Sequence, residues 1–297
     1  MITEGFITSG ELRTCYRVVG NIHESYAKGL APLVLLHGGP GSTHNYFELL
    51  DPLAESGRAI VMYDQLGCGG SYIGARPELW VADTWVDELE RVREHLGLKE
   101  IHLLGQSWGG MLAITYLCDR KPEGIKSLIL SSTLSSSQLW GVEQHRNIRL
   151  MSSEDQDAIA AAEKSGDYTS PAYLEALDRF MARHCCDNSY GPDAPECLRR
   201  PKKSGSESYL AAWGPNEFTP QGTLAQWDYT YRLREIDSPA LIISGTDDLC
   251  TPLVAKTMYD RLKDARWELF PGCRHMCFAD DTEKYLSLVG SWMTEKD

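Results

Sequence analysis

Five short apolar segments constrain the fold of this chain more than any other feature of its sequence. They are apolar on both faces, as strands of a buried parallel sheet must be. The segments are Pro32–Leu36, Ala59–Tyr63, Ile101–Leu104, Leu128–Leu130 and Ala240–Ile243. Helical patterns such as Trp85–Leu96 and Met111–Cys118 lie between them. This alternation predicts an α/β fold with a mostly parallel central sheet and helices on both faces.

The alternation of strand and helix stops between about residues 133 and 237. This stretch contains a helical pattern at Tyr173–Met181 and a loop-like section, Asp187–Ser208, rich in Pro, Gly, Ser and charged residues. We interpret it as an inserted helical cap over the carboxyl ends of the strands, where open α/β sheets bind ligands. The predicted domains are a core of residues 1–133 and 237–297 and a cap of residues 134–236.

Composition excludes some classes of function. The formal charge of −13 argues against nucleic-acid binding, which needs clustered Lys and Arg. The first ten residues lack the pattern of a signal peptide, and no stretch has the length of a membrane span. The nine cysteines are odd in number and scattered, which predicts reduced thiols in a cytoplasmic protein.

Cys273, His275 and Cys277 raise the question of a metal site. Their spacing matches none of the usual zinc patterns, and no second ligand pair follows at a suitable distance. We therefore expect neither a metal nor an organic cofactor. These two thiols and Cys250 are close in sequence to the predicted catalytic acid and histidine described below, which suggests that thiol modification inhibits the protein.

The strongest chemical signal is the pentapeptide Gly-Gln-Ser-Trp-Gly at residues 105–109. It follows an apolar strand and opens a helix, the setting of the nucleophile elbow of serine hydrolases. Glycine is needed in such a sharp turn because a side chain would clash. Ser107 is thereby predicted to project from a helix N-terminus, where backbone donors favour developing negative charge.

A serine nucleophile needs a base, and the base needs an orienting carboxylate. In this type of fold the order along the chain is serine, acid, histidine. His275 lies in a loop after the last strand-like segment, so it is the predicted base. Asp248 follows the strand that begins at Ala240 and is the predicted acid, with Asp247 as the alternative.

Two backbone amides must be aimed at the oxyanion. One is predicted to be that of Trp108, directly after the nucleophile. The other should come from the loop His37–Gly41 (His-Gly-Gly-Pro-Gly), in which proline has no donor. Gly39 is the predicted second donor in preference to Gly38.

Several motifs together resemble the proline iminopeptidases (prolyl aminopeptidases) of the α/β-hydrolase superfamily. They are His-Gly-Gly-Pro-Gly at 37–41, Asp-Gln-Leu-Gly-Cys-Gly-Gly-Ser at 64–71, Gly-Gln-Ser-Trp-Gly-Gly at 105–110 and Gly-Pro-Asn-Glu-Phe-Thr at 214–219. The resemblance spans most of the chain and is weakest between about residues 139 and 206. It implies a triad of Ser107, Asp248 and His275.

The resemblance also implies that Glu217 receives the free α-amino group of the substrate. A partly desolvated carboxylate facing an ammonium forms a charge-assisted hydrogen bond that a neutral acyl group cannot match. Some members of the family carry a glutamate directly after the catalytic aspartate, and here that position is Leu249. Another cap acid, such as Asp228, is a candidate to assist Glu217.

The expected function is that of a serine aminopeptidase that releases N-terminal proline, or another small amino acid, through an acyl-enzyme. Its partner is then a small peptide or amino-acid amide with a free N-terminus, and neither nucleic acid nor membrane. An amino-acid amidase or small-molecule esterase using the same triad is the alternative among enzymes. A non-catalytic ligand-binding protein is the alternative of another class. Ser107 at the elbow disfavours dehalogenase and epoxide-hydrolase chemistry, which places an aspartate there.

Overall fold

The central feature of the computed structural model, which describes residues 1–187 and 190–297, is one eight-stranded sheet. The strands are β1 (Ile2–Ser9), β2 (Leu12–Val19), β3 (Leu33–Leu36), β4 (Ile60–Asp64), β5 (Ile101–Gln106), β6 (Ile125–Ser131), β7 (Ala240–Gly245) and β8 (Ala265–Phe270). Their order across the sheet is β1-β2-β4-β3-β5-β6-β7-β8. β2 pairs antiparallel with both β1 and β4, and all the other pairs are parallel.

The central strands are buried on both faces, as their uninterrupted apolar sequences predict. Every residue of β3, β4, β5 and β7 is buried. Along β3 the side chains alternate between two apolar clusters, with Val34 and Leu36 in one and Leu33 and Leu35 in the other. The two faces of the sheet therefore each carry a core, and the prediction of helices on both faces is confirmed.

Eleven α-helices surround the sheet in the part of the chain that the structure describes. They are α1 (Ile22–Ala27), α2 (Ala82–His95), α3 (Trp108–Arg120), α4 (Ser137–Ile148), α5 (Ser153–Ser165), α6 (Pro171–His184), α7 (Glu196–Arg199), α8 (Ser206–Ala212), α9 (Pro252–Tyr259), α10 (Cys277–Asp280) and α11 (Thr282–Lys296). Helices α2 and α3 pack on one face of the sheet. Helix α11 packs on the other face, beside a 3₁₀ segment at His44–Ser56. Across residues 1–187 and 190–297, no helix has the length and apolar character needed to cross a membrane.

Five of these helices, α4 to α8, lie between β6 and β7. Since β6 and β7 are neighbours in the sheet, the chain leaves the core and returns to it at adjacent strands. The loop-like section Asp187–Ser208, of which residues 188 and 189 lie outside the described part, also contains the short helix α7 and the start of α8. A single helical turn is too short to leave a periodic pattern in the sequence. We propose that residues 134–236 form the cap and the remaining residues the core.

Candidate active site

Ser107 occupies a strained turn between β5 and α3. Its backbone angles are φ 55° and ψ −125°, which non-glycine residues rarely adopt. The flanking glycines make this turn possible: a Cβ at Gly109 would lie 2.0 Å from the carbonyl oxygen of Leu36, and one at Gly105 would lie 2.2 Å from that of Gly109. The sharp turn brings α3 directly against β3 and places Ser107 at the N-terminus of α3.

The side chains of His275 and Asp248 are in direct contact. His275 Nδ1 is 2.8 Å from Asp248 Oδ1, and both residues are buried. Asp248 is itself held by two backbone amides, from Cys250 at 2.8 Å and from Gly245 at 3.2 Å. Asp247, the alternative acid, is exposed. The geometry therefore favours Asp248 as the residue that orients the imidazole.

The electrostatic surroundings of His275 suit a general base. Burial alone lowers the pKa of the imidazole, but the charge and hydrogen bond of Asp248, together with the charge of Glu217, raise it above its ordinary value of 6.5. Since Nδ1 faces the carboxylate, it carries the proton in the neutral ring. Nε2 is then the nitrogen available to accept a proton.

The loop after β3 supplies one amide that is already engaged and one candidate donor. The amide of Gly38 donates to Tyr46 Oη at 2.6 Å, and that hydroxyl donates to Gln106 Oε1 at 2.9 Å. This hydrogen bond occupies Gly38 and leaves Gly39, whose φ is 121°, as the candidate oxyanion donor of the loop. The amide of Trp108, at the first residue of α3, is the second candidate.

A hydrogen-bond network that was not predicted from the sequence links the loop after β3, which carries Gly39, to the side chain of Trp108. The side chain of Gln65 donates to the carbonyl of His37 at 2.8 Å and accepts from the indole of Trp108 at 2.7 Å. His37 in turn accepts from the amide of Gln65 and donates to the carbonyl of Gly38. Burial lowers the pKa of His37 to about 4, so the ring is neutral and can play both parts. The available signal was the Asp-Gln motif at 64–65, which we used only for its resemblance.

Glu217 lies in the cap close to His275. Its Oε1 accepts a hydrogen bond from Tyr209 Oη at 2.8 Å, and its backbone carbonyl accepts one from the indole of Trp140 at 2.7 Å. Burial raises the pKa of Glu217, against the lowering effects of the His275 charge and the Tyr209 hydrogen bond. A carboxylate in this position is stabilised by a cationic ligand.

Neither of the two positions considered for a second acidic group, 228 and 249, places a carboxylate in the site. Asp228 is exposed and accepts a hydrogen bond from the amide of Thr230 at 2.9 Å, so the structure does not bring it beside Glu217. Leu249, which stands where a second glutamate was considered, is fully buried in an apolar cluster. Glu217 is the one glutamate or aspartate among the described residues that line the cavity.

Most of the candidate residues open onto one cavity of about 620 Å³ between core and cap. Ser107, His275, Gly39 and Glu217 all line it. The thiols in its wall are Cys185, Cys186 and Cys197. Cys250, Cys273 and Cys277, which the sequence placed near the acid and histidine, are buried outside the cavity. The amide of Cys250 contacts Asp248, and inhibition by modification of these three thiols stays a prediction.

A sheet of this order with a serine at the elbow after β5 is the arrangement of the α/β hydrolases, and the corresponding family model, described as alpha/beta hydrolase fold, matches residues 31–282. The chain is a serine hydrolase of this fold. Within the fold it belongs to the proline iminopeptidase family. It is 57% identical over 296 residues to the proline iminopeptidase of Clostridium botulinum, covering 100% of this chain and 99% of that one. The identity to the Clostridioides difficile proline iminopeptidase is 56%, with the same coverage. A crystal structure of the Mycobacterium smegmatis proline iminopeptidase superposes with a TM-score of 0.85 at 31% identity, covering 99% of this chain and 98% of that one.

Proposed function

We propose that this chain is a serine aminopeptidase that releases N-terminal proline, or another small amino acid, from peptides. The single observation that carries the proposal is the position of Glu217. Its carboxylate lies in the same cavity as Ser107 and close enough to His275 for each charge to shift the other's pKa. The resemblance to enzymes named proline iminopeptidases supports the same activity.

In the proposed mechanism, His275 Nε2 takes the proton of Ser107 as the serine oxygen attacks the carbonyl carbon of the first residue. The amides of Gly39 and Trp108 donate hydrogen bonds to the oxyanion. Asp248 keeps the proton on Nδ1 and stabilises the imidazolium. His275 then protonates the leaving amine, and an acyl-enzyme remains on Ser107. Water attacks the acyl-enzyme by the same route and frees the amino acid.

Glu217 provides the proposed specificity for a free N-terminus. An α-ammonium group beside a desolvated carboxylate forms a charge-assisted hydrogen bond. This bond offsets the free-energy cost of removing the carboxylate from water. An acylated nitrogen has no charge to offer and leaves the desolvated carboxylate of Glu217 without a counter-charge. Tyr209 holds one carboxylate oxygen, so the group is fixed before the substrate arrives. The partner class is accordingly a small peptide or amino-acid amide with a free amine.

We also place the protein in the cytoplasm. All nine cysteines are free thiols, including the adjacent pair Cys185 and Cys186 in the cavity wall. Thiols in this state are typical of a reducing compartment. The proposed chemistry needs only the side chains and amides named above.

The test compares kcat/KM on proline p-nitroanilide and N-acetylproline p-nitroanilide. Wild type is expected to prefer the free amine strongly. Glu217→Gln should lower kcat/KM on the free amine by roughly 10- to 100-fold, the factor for losing a hydrogen bond to a charged group. Glu163→Gln is the matched control, because this cap carboxylate contacts His145 and Thr219 and does not line the cavity. Ser107→Ala gives the background rate.

Two outcomes would contradict the proposal. If wild type cleaves the acetylated and free substrates equally, Glu217 does not select the amine. If Ser107→Ala retains turnover, the nucleophile has been assigned to the wrong residue.

A further inference from the structure

A short segment of the cap, residues 200–205, is fixed against the core on both sides of Lys202. The amide of Gly69 donates to the carbonyl of Lys203 at 2.7 Å, and the amide of Gly205 donates to the carbonyl of Gly41 at 2.7 Å. Arg200 anchors the start of the segment through an ion pair with Glu48 at 2.8 Å. The position of Lys202 along the cavity wall is therefore set by backbone contacts with the core.

The other cations of this segment have close partners, whereas Lys202 has no ion pair and only a longer contact with the ring of Tyr46, at 5.5 Å. Arg200 pairs with Glu48 and Glu196. The ammonium of Lys203 lies 3.2 Å from the centroid of the Tyr72 ring. Lys202 lines the cavity, and within residues 1–187 and 190–297 no carboxylate comes within 4.0 Å of its ammonium. Lys202 is exposed overall and partly desolvated where it lines the cavity, so it presents a positive charge to the ligand space.

Lys202 and Glu217 lie in different surroundings within the cavity. The ammonium of Lys202 is 5.5 Å from the ring centroid of Tyr46, whose hydroxyl accepts from the amide of Gly38 beside the candidate oxyanion donor. Glu217 instead contacts Tyr209 and interacts with the charge of His275. The cavity thus carries the negative charge of Glu217 near His275 and the positive charge of Lys202 near Tyr46.

The thiol of Cys186 interacts electrostatically with both His275 and Lys202. The hydrogen bond from Cys185, and after it the charge of His275, lower the pKa of the Cys186 thiol. Desolvation lowers the pKa of Lys202, and Cys186 is the group that opposes this most. Lys202, Cys186 and His275 all line the same cavity, so the charge of Lys202 faces the space that holds the substrate.

We infer that Lys202 binds the C-terminal carboxylate of a dipeptide or tripeptide substrate. The inference rests on the proposed aminopeptidase function and names the substrate class, which is short peptides with both termini free. A residue adds about 3.3–3.6 Å to an extended chain, so a peptide that has its scissile bond at Ser107 and its C-terminal carboxylate inside the same cavity must be short. The cavity of about 620 Å³ is of a size that encloses such a ligand.

The experiment measures kcat/KM for Pro-Ala and Pro-Ala-Ala against the same peptides with a C-terminal amide. Wild type is expected to prefer each acid over its amide by roughly 2- to 5-fold, since an exposed charge pair contributes modestly. Lys202→Gln should bring the ratio close to one, and Lys202→Arg should retain the preference. Lys203→Gln is the matched control and should keep the wild-type ratio, because Lys203 does not line the cavity.

The outcomes separate this inference from the proposed function. If prolyl substrates are cleaved but wild type shows no preference for the acids, or Lys202→Gln keeps that preference, the Lys202 inference is wrong and the aminopeptidase proposal stands. If no prolyl peptide or anilide is cleaved, both fail. If Lys202→Gln does not fold, the ratio of kcat/KM for acid and amide is measured on wild type at increasing salt. Added salt should weaken the preference for the acids, and a salt-independent preference would overturn the inference.

Discussion

His275 interacts with two carboxylates of different kinds. Asp248 is buried and hydrogen-bonded to Nδ1, so it fixes the ring and its tautomer. Glu217 acts on the imidazole through its charge and is free on its other side to meet a ligand. Both raise the pKa of His275. A substrate ammonium that neutralises Glu217 therefore also removes part of the stabilisation of the imidazolium.

We predict that Glu217→Gln shifts the pH dependence of Ser107 reactivity. His275 must be neutral to act as a base, so the rate of inactivation by a fluorophosphonate should rise with pH through the raised pKa of His275, above 6.5. Removing the Glu217 charge should move this midpoint to lower pH. An uncharged inactivator avoids any effect on amine binding.

The Glu163→Gln variant is the control for that measurement and should keep the wild-type midpoint. A midpoint that stays in place, or moves to higher pH, in Glu217→Gln would show that Glu217 does not act on His275.

Residues next to a motif could be predicted, and residues brought in by the cap could not. Ser107 and His275 followed from the elbow and the chain order, and Asp248 was preferred to Asp247 by its place after β7. The cavity contacts of Lys202 and Cys186 left no trace in the sequence, since they depend on how a distant segment folds back onto the loop after β3.

At the level of the elements, the backbones of α3 and β3 are in close contact at the elbow. We predict that Gly109→Ala lowers the free energy of unfolding by about 3 kcal/mol or more, because its Cβ would lie 2.0 Å from the backbone oxygen of Leu36. The measurement is the denaturation midpoint in urea. Gly141→Ala, in α4, is the matched control.

At Gly141 an added Cβ would meet Pro220 at an ordinary 3.5 Å. Alanine there should stabilise the protein by up to about 1 kcal/mol, because it favours the helix more than glycine does. A Gly109→Ala protein as stable as wild type would show that the elbow can move away from β3.

Buried strands were predictable from sequence, whereas single-turn helices and the 3₁₀ segment were not. The wholly buried strands β3, β4, β5 and β7 could be recognised by the apolar runs within them. The 3₁₀ segment His44–Ser56, which contains Pro52, was not among the elements predicted from the sequence. It nevertheless supplies Tyr46 to the site.

For the molecule as a whole, one polar cluster joins the last helix to the first half of the sheet. Arg58, which is 2% exposed, forms an ion pair with Asp297 at 2.6 Å. The same carboxylate accepts hydrogen bonds from the amide of Ala31 and the ring of His102. Partial burial opposes ionisation of Asp297, but these contacts hold its pKa at about 2.

We predict that Asp297→Asn destabilises the fold by about 1–3 kcal/mol, because it leaves the guanidinium of Arg58 buried without its counter-charge. In wild type this contribution should be complete above the ordinary carboxyl pKa of 3.8 and be lost as the pH falls toward 2. Urea denaturation at pH 7 and pH 3 measures both effects.

Asp237→Asn is the control, since the ion pair of Asp237 with Lys263 is exposed and its loss should leave the stability close to that of wild type. Equal stability of Asp297→Asn and wild type would contradict the role given to the cluster.

The insertion of the cap between β6 and β7 separates the proposed nucleophile from its base along the chain. Ser107 and Gly39 precede the cap, whereas Asp248 and His275 follow it. During translation Ser107 is therefore synthesised well before His275. On the proposed assignment, a nascent chain that has not reached residue 275 is inert as a peptidase. The proposed activity therefore arises only after the whole segment between β6 and β7 has been synthesised.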